Sequence, residues 1–323
     1  MTLTGIPTRS DDLDVLATAL DATIPARTAT NLLVATWNLR MFGGLTATWD
    51  AGPSDSPKRD LHSLACIASI VRRFDVVAVQ EVKRNVTALR QTLQLLGADW
   101  AVIASDVTEG DPGNEERLAF LYDTTRVEPS GLVAEIVLPL STGSVRRQFA
   151  RTPYAAGFRA GDVEFILVCL HVIWGDRTEQ RLAEVRSIAE WMRAWVDRPN
   201  DWNANLLVLG DFNLDRIGDP LYEAFLSTGL WPPTELNAVP RTIFDKPTTP
   251  HFYDQIAWFS DADGRTLLRS LTYTGRAGTF DFTRCTMTDL SKESLSFKIS
   301  DHLPLWVEFE RGKDADTRRK GRP

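Results

Sequence analysis

The chain carries a series of short apolar runs, each broken off by a polar residue of a kind that binds metal or phosphate. Leu32-Leu33-Val34-Ala35-Thr36-Trp37 stops at Asn38, and Asp75–Val79 stops at Gln80-Glu81. Val163–Leu170 stops at His171, and Leu206–Leu209 at Gly210-Asp211-Phe212-Asn213. Asp301-His302 are read as ending a fifth such strand, and Asp254 opens a further run, Gln255–Phe259, with Leu305–Phe309 the last. Their length and β-favouring residues predict buried strands. Strand ends place side chains at the rim of a rigid sheet, where a cleft can form.

Helical patterns separate these strands. Leu61, Leu64, Ala65, Ala68, Ile70 and Val71 recur at helical spacing, and Val86–Leu96 forms a second amphipathic stretch ended by Gly97. Leu182, Val185, Ala189, Met192 and Val196 give one apolar face to a long helix after His171. Trp100–Ala104, Leu118–Tyr122, Leu132–Leu138 and the region near Leu267–Thr274 read as further strands. Tyr154–Arg159 and Val163–Leu170 flank Ala160-Gly161-Asp162, a hairpin signature. The pattern predicts an α/β (α+β) fold with two mainly antiparallel sheets packed face to face and helices outside. No Pro/Gly/Ser-rich linker divides the middle, so residues 31–310 are expected to form one domain. Residues 1–30 are expected to be a flexible arm with a short helix near Leu13–Leu20. Residues 311–323, ending in Arg318-Arg319-Lys320-Gly321-Arg322-Pro323, are expected to be a disordered basic tail.

Hydrophobic residues make up 43% of the 323, enough to bury a sizeable core without covalent staples. Cys66, Cys169 and Cys285 are far apart and have no metal-ligand spacing, so they read as buried thiols. Their odd number suits a reducing, cytoplasmic setting. No apolar run approaches the ~18 residues of a membrane span. The first residues lack the basic-then-apolar pattern of a secretory signal. A net charge of −7 argues against a bulk attraction for polyanions, although local basic groups or a bound metal can supply it at a site.

Taken singly, each polar strand end has a plainer reading. Asn38 can cap a turn, Glu81 can be a surface residue, and His171 can be structural. Asp211 and Asn213 are ordinary turn-formers, and Asp301 can cap an element before Pro304. The conjunction and its order say more. Carboxylates and a carboxamide suit a hard cation such as Mg²⁺ or Mn²⁺, and histidines beside them can move protons near neutral pH. The chain resembles the endonuclease/exonuclease/phosphatase superfamily, and within it the deoxyribonuclease I-like branch. The resemblance rests on Ala35–Gly43, Ile70–Lys83, Glu116–Tyr122, Leu170-His171, Leu209–Asn213, Tyr253–Ile256 and Ile299–Pro304, in family order.

That resemblance implies a four-layered α/β sandwich and Mg²⁺-assisted hydrolysis of a phosphate ester, with Mn²⁺ as an alternative ion and one or two ions acting. It implies Glu81 as the main metal carboxylate, with Asn38 and Asp301 close by. Asp211 and Asn213 would hold the attacking water, the phosphate or a second metal. His302 would be general base or phosphate contact, oriented by Asp254, and His171 would serve the leaving oxygen, oriented by Glu116. Arg151 and Arg40 are the candidate phosphate contacts, and Trp174 can stack on a base or pack on the sheet rim. His62 and His251 lie outside the motifs and read as structural or solvent-facing.

The chain also departs from that branch. Asn114 stands where the branch has a groove-stacking tyrosine, Lys83 replaces a groove arginine, and the disulfide cysteines are missing. The leading expectation is a monomeric endonuclease acting on nucleic acid, without membrane insertion. The alternatives are a phosphoesterase for a lipid headgroup, inositol phosphate or nucleotide, and a scaffold without catalysis.

Overall fold

A computed structural model describes residues 10–110, 113–138, 149–175, 178–246, 248 and 250–312. Its elements in chain order are α1 (Ser10–Thr23), β1 (Asn31–Phe42), α2 (Leu61–Val71), β2 (Val76–Lys83), α3 (Thr87–Leu96), β3 (Trp100–Ala104) and β4 (Glu116–Asp123). There follow β5 (Glu128–Glu135), β6 (Tyr154–Ala160), β7 (Val163–His171), α4 (Thr178–Val196), β8 (Leu206–Asp211) and α5 (Pro220–Leu226). The last are β9 (Leu230–Trp231), β10 (Asp254–Phe259), β11 (Leu271–Thr279), α6 (Lys292–Lys298) and β12 (Leu305–Arg311).

The strands form two six-stranded sheets, ordered β11-β12-β1-β2-β4-β3 and β5-β6-β7-β8-β10-β9. Among the described residues every ladder is antiparallel except β1–β2 and β7–β8. The sheets are therefore mixed, each with one parallel pair at its centre.

Alternation along β1 shows why the central strands read as continuous apolar runs. Leu32 and Val34 face the other sheet, in a cluster with Ala78, Phe120, Phe158, Phe165, Leu207, Ile256 and Val307. Leu33, Ala35 and Trp37 face the opposite way, among Leu64 and Ile67 of α2, Leu89 of α3 and Leu16 and Leu20 of α1. On the far side Val168, Leu170, Val208 and Ala257 pack on Val185, Ile188 and Met192 of α4 and Phe225 of α5. Helices, sheet, sheet and helices make the four layers of an α/β sandwich, each central strand buried on both faces.

Several sequence expectations need correction. Residues 10–23 of the supposed flexible arm form α1, and Leu16, Leu20 and Ile24 are buried in the core. Their spacing of four puts one apolar stripe against α2. β1 does not end at Trp37 but runs to Phe42, so Asn38 lies within it. The strand expected over Leu132–Leu138 lies at Glu128–Glu135 instead, an edge strand exposed on alternate residues. The short helices α5 and α6, capped by Asp219 and Ser291, had gone unread. The basic tail beyond Gly312 lies outside the described residues.

Candidate active site

The topology brings strand ends and strand starts to one rim. Parallel pairing puts the C-terminal ends of β1 and β2 side by side, with Asn38 level with Gln80 and Glu81 next along. The same holds for β7 and β8, where His171 is level with Asp211. The antiparallel neighbours begin where these strands end. Glu116, the first residue of β4, pairs with Lys83, and Asp254, the first of β10, pairs with Asp211. His302 lies just ahead of β12, itself antiparallel to β1. Asp301-His302 thus precede a strand rather than ending one.

Local backbone aims these groups. Glu81, in the irregular stretch of β2 between Val79 and Val82, and Asn213, just past β8, have φ of 61° and 50°, left-handed conformations that turn the chain sharply. Gly210 sits at φ 135°, where a Cβ would lie 2.1 Å from the Leu170 carbonyl oxygen, so only glycine lets β7 and β8 pair this closely beside His171 and Asp211. Ser300 ties the loops together: its Oγ donates to the Asn38 carbonyl at 2.6 Å and accepts from the backbone of Arg40 and His302 at 3.2 and 3.1 Å.

At the centre, the Asn38 Nδ2 donates to Glu81 Oε1 and to Asp211 Oδ2, both at 3.1 Å. The other Glu81 oxygen accepts from the Met41 amide at 2.8 Å. Asp211 Oδ1 accepts from the Asn213 amide at 2.9 Å, leaving Oδ2 to face the cleft groups. Two histidines approach that one oxygen, His171 Nε2 at 3.7 Å and His302 Nε2 at 3.9 Å. Behind them, His302 Nδ1 lies 2.7 Å from Asp254 Oδ2 and His171 Nδ1 lies 2.9 Å from Glu116 Oε2.

Electrostatics follow from burial and neighbours. Burial opposes the imidazolium at His302, but Asp254, Asp211 and Asp301 outweigh it and hold its pKa well above the ordinary histidine value. Burial pushes the Asp254 carboxyl up to about 6, against the pull of the His302 charge. At Glu116, burial is overcome by His171, Arg151 and Lys83, which bring its pKa down to about 2. Its Oε1 accepts from Lys83 Nζ at 2.9 Å, and Arg151 Nε lies 2.6 Å from Oε2.

A model of the Endonuclease/Exonuclease/phosphatase family matches residues 35–302. The chain belongs to this family. It is 26% identical over 297 residues to a deoxyribonuclease of Thioalkalivibrio sp. (strain K90mix), covering 89% of this chain and 73% of that protein. It is 25% identical over 289 residues to deoxyribonuclease-1 of Bos taurus, covering 86% of this chain and 92% of that one. Among solved structures, a member of the family from Bacteroides thetaiotaomicron superposes with a TM-score of 0.58 at 20% identity, covering 88% of this chain and 99% of that one. This last likeness concerns the fold.

In this family member the donors Asn38, Glu81 and Asp211 fit a hard cation. Asn38 Oδ1 is buried and accepts no hydrogen bond, although its Nδ2 joins two carboxylates, so an oxygen ligand is left over beside Glu81 and Asp211. Two further groups have ligand atoms within 4.8 Å of one another: Glu81 with Glu116 and His171, and Asp211 with Asp254 and His302. Asp301, expected beside Glu81, forms an ion pair with Arg40 at 3.4 Å. Arg40 also donates to Ser296 and lies over the Phe297 ring. Arg151 keeps Nη1 buried without a partner beside Glu116. Trp174 is 61% exposed and makes an edge contact with Tyr253.

Sequence reasoning missed the supporting cations. Arg59, buried, donates to the carbonyls of Arg40, Met41, Lys298 and Ile299, clamping the end of β1 to the segment that leads to Asp301. Arg241 donates to the Asp254 carbonyl at 2.9 Å, and Arg181 to the Asn213 carbonyl at 3.0 Å. No motif marks them, because a buried arginine that serves carbonyls looks like any surface arginine in a sequence.

Proposed function

We propose that the chain is a divalent-metal-dependent phosphodiesterase of the endonuclease type, with Mg²⁺ as its ion and Mn²⁺ able to replace it. The observation that carries this is the pair of carboxylate-oriented histidines whose outer nitrogens converge on one oxygen of Asp211, next to Asn38 and Glu81. The names of the two deoxyribonuclease relatives support nucleic acid as substrate.

Glu81, Asn38 and Asp211 would hold the cation, which supplies Lewis-acid stabilisation of charge on the phosphate oxygens. Asp211 and Asn213 place the attacking water. Asp254 fixes the ring of His302, so that its Nε2 is the atom where a proton is held or moved. The surrounding carboxylates keep that proton on His302, suiting it to contact a phosphate oxygen. Without that proton, the same Nε2 could take up the proton of the attacking water. His171, oriented by Glu116, gives its proton to the leaving oxygen. Arg151 and Arg40 meet phosphate oxygens. Three free, buried cysteines suit a reducing, cytoplasmic location, and no described helix is long and apolar enough to cross a membrane.

A second reading, a phosphoesterase for a small ester, draws on the surface charges. Lys83 is committed to Glu116 and Arg84 to Glu109, which leaves these two cations less available to a polyanion. The deciding assay incubates the protein and its His302→Ala variant with Mg²⁺ and supercoiled plasmid, single-stranded DNA, RNA, phosphodiesters and phosphomonoesters. Nicking that requires both metal and His302 is expected; turnover of monoesters alone would replace the nuclease reading.

A further inference from the structure

Trp174 is the large apolar side chain that the fold explains least. It is 61% exposed, although the backbone that carries it is firmly held. Val172 donates its amide to the Asp211 carbonyl at 2.8 Å and accepts from Asn213 Nδ2 at 2.7 Å. Ile173 donates its amide to Glu184 at 2.9 Å. The indole is therefore presented to solvent by a segment anchored to the catalytic strands. Trp202, another exposed tryptophan, differs in lying over the open side of Gly131 on edge strand β5.

Behind the indole stands a fixed row of rings. Trp174 meets Tyr253 at 5.6 Å between centroids and 90° between planes. Tyr253 is stacked on His251 at 4.7 Å and 17°, and lies 6.1 Å from His302 on a tilted contact. His251 is held in turn: its Nδ1 lies 2.8 Å from Asp245 Oδ1, and the other Asp245 oxygen accepts the amides of Arg241 and Thr242 at 2.8 and 3.1 Å. An edge-on contact leaves at least one indole face open, and the exposure of Trp174 agrees. The ring of Tyr253 thus meets both that indole and His302.

We propose that Trp174, backed by Tyr253 and the His251–Asp245 pair, is a shelf for one unstacked nucleobase next to the scissile phosphate, and that the preferred substrate is a single strand. The inference rests on the nuclease reading above and names its substrate class. A fixed aromatic face binds a base of any identity, because every base offers a π-face. A base inside a duplex is already stacked on its neighbours and reaches the shelf only after unpairing, which costs free energy that a single strand does not spend. The shelf lies beside the leaving-group and water-holding residues rather than across a groove. It therefore reads a base attached to the reacting nucleotide or its immediate neighbour. Tyr253 and His251 are positioning residues, since they set the angle of the indole.

The test measures cleavage, with Mg²⁺ present, of one deoxyoligonucleotide in three forms: single-stranded, paired with its complement, and single-stranded with abasic residues around the cleaved bond. An RNA of the same sequence tells the two sugars apart. Wild type should prefer the intact single strand over both other DNA forms. Trp174→Ala should raise KM for the intact strand roughly tenfold, the scale of one lost stacking contact, with kcat little changed, and Trp174→Phe should recover most of the loss. The advantage of intact over abasic strand should collapse in Trp174→Ala. Because the indole is exposed, the variant is expected to fold. An unchanged KM in Trp174→Ala, or equal use of intact and abasic strands by wild type, would overturn the shelf while leaving the nuclease reading in place. If wild type cleaves no oligonucleotide but turns over phosphomonoesters, both fall together.

Discussion

Replacing Asn38 by aspartate tests whether the centre of the site is built for a cation, and it needs no substrate. The Asn38 amide donates to Glu81 and Asp211 at 3.1 Å each, and the residue is 1% exposed. An aspartate there loses two hydrogen bonds to charged acceptors, each worth about 1.5–3 kcal/mol. It also sets a third carboxylate against two others. At an effective dielectric of 20, like charges ~3 Å apart repel by about 5 kcal/mol, a limit the group escapes by taking up a proton. A net loss of about 3–5 kcal/mol follows. For a domain of roughly 300 residues, with unfolding entropy near 2.1 cal/mol/K per residue, that is about 5–8 °C in Tm. Millimolar Mg²⁺ should return a large part of this loss, because a cation bound only by the folded state stabilises by mass action. Differential scanning calorimetry of wild type and Asn38→Asp, each with chelator and with Mg²⁺, gives the four values needed. If the variant melts with wild type in chelator, or gains no more than wild type from Mg²⁺, the donor set has been misread.

Other expectations follow from neighbouring features. Gly210→Ala forces a Cβ onto the Leu170 carbonyl and into an unfavourable φ, and should cost at least ~3 kcal/mol in urea unfolding together with most of the activity. A near-wild-type midpoint would contradict the close β7–β8 approach. Glu81→Gln should lower turnover on the order of a thousandfold at saturating Mg²⁺, as measured by plasmid nicking; near-normal turnover would remove Glu81 from the metal set. Asp60 caps α2 through Ser63, accepts from the Ala51 amide and pairs with Lys298. Burial raises its pKa, but Lys298, Ser63 and Ala51 outweigh it and leave it below the ordinary 3.8. Because the folded pKa is the lower one, its contribution is complete above the unfolded value and fades as pH falls below about 4. Asp60→Asn should therefore be less stable than wild type at pH 7 by about 3 kcal/mol. The gap should narrow in urea titrations as pH drops below 4; a constant gap would refute the ion-pair account.

How much of this was legible in the sequence depends on which link is asked. The apolar runs were legible because central strands of a sandwich are buried on both faces, and β1, β2, β7 and β8 accordingly lack polar alternation. The exposed edge strand β5 carried no such signal, and its position was misread by several residues. Polar residues at strand ends were legible one at a time. Their meeting was legible only through the family resemblance, because it depends on parallel pairing of β1 with β2 and of β7 with β8, a long-range choice that no local pattern announces. The pair between Asp301 and Arg40 joins residues far apart in sequence and close in space, which order along the chain does not report. His251 reads from the sequence as structural or solvent-facing, and in the structure it stacks on Tyr253 and is anchored at Asp245. Nothing in a sequence reports either contact.

The same topology makes a demand on the chemistry. His171 arrives from the second sheet and His302 from the loop before β12 of the first, yet both point Nε2 at a single oxygen of Asp211, at 3.7 and 3.9 Å. Each is braced by a different carboxylate, Glu116 or Asp254, and the two sides meet at Asp211. Groups that act on one transition state are not additive, since removing either already forfeits the concerted proton movement. His171→Ala and His302→Ala should each cost about a hundredfold or more in kcat/KM. The double variant should cost clearly less than the product of the two, with the remaining rate still dependent on Mg²⁺. Full multiplicativity in a double-mutant cycle would mean that the histidines serve separate steps, and the convergence on Asp211 would then be a matter of packing rather than of mechanism.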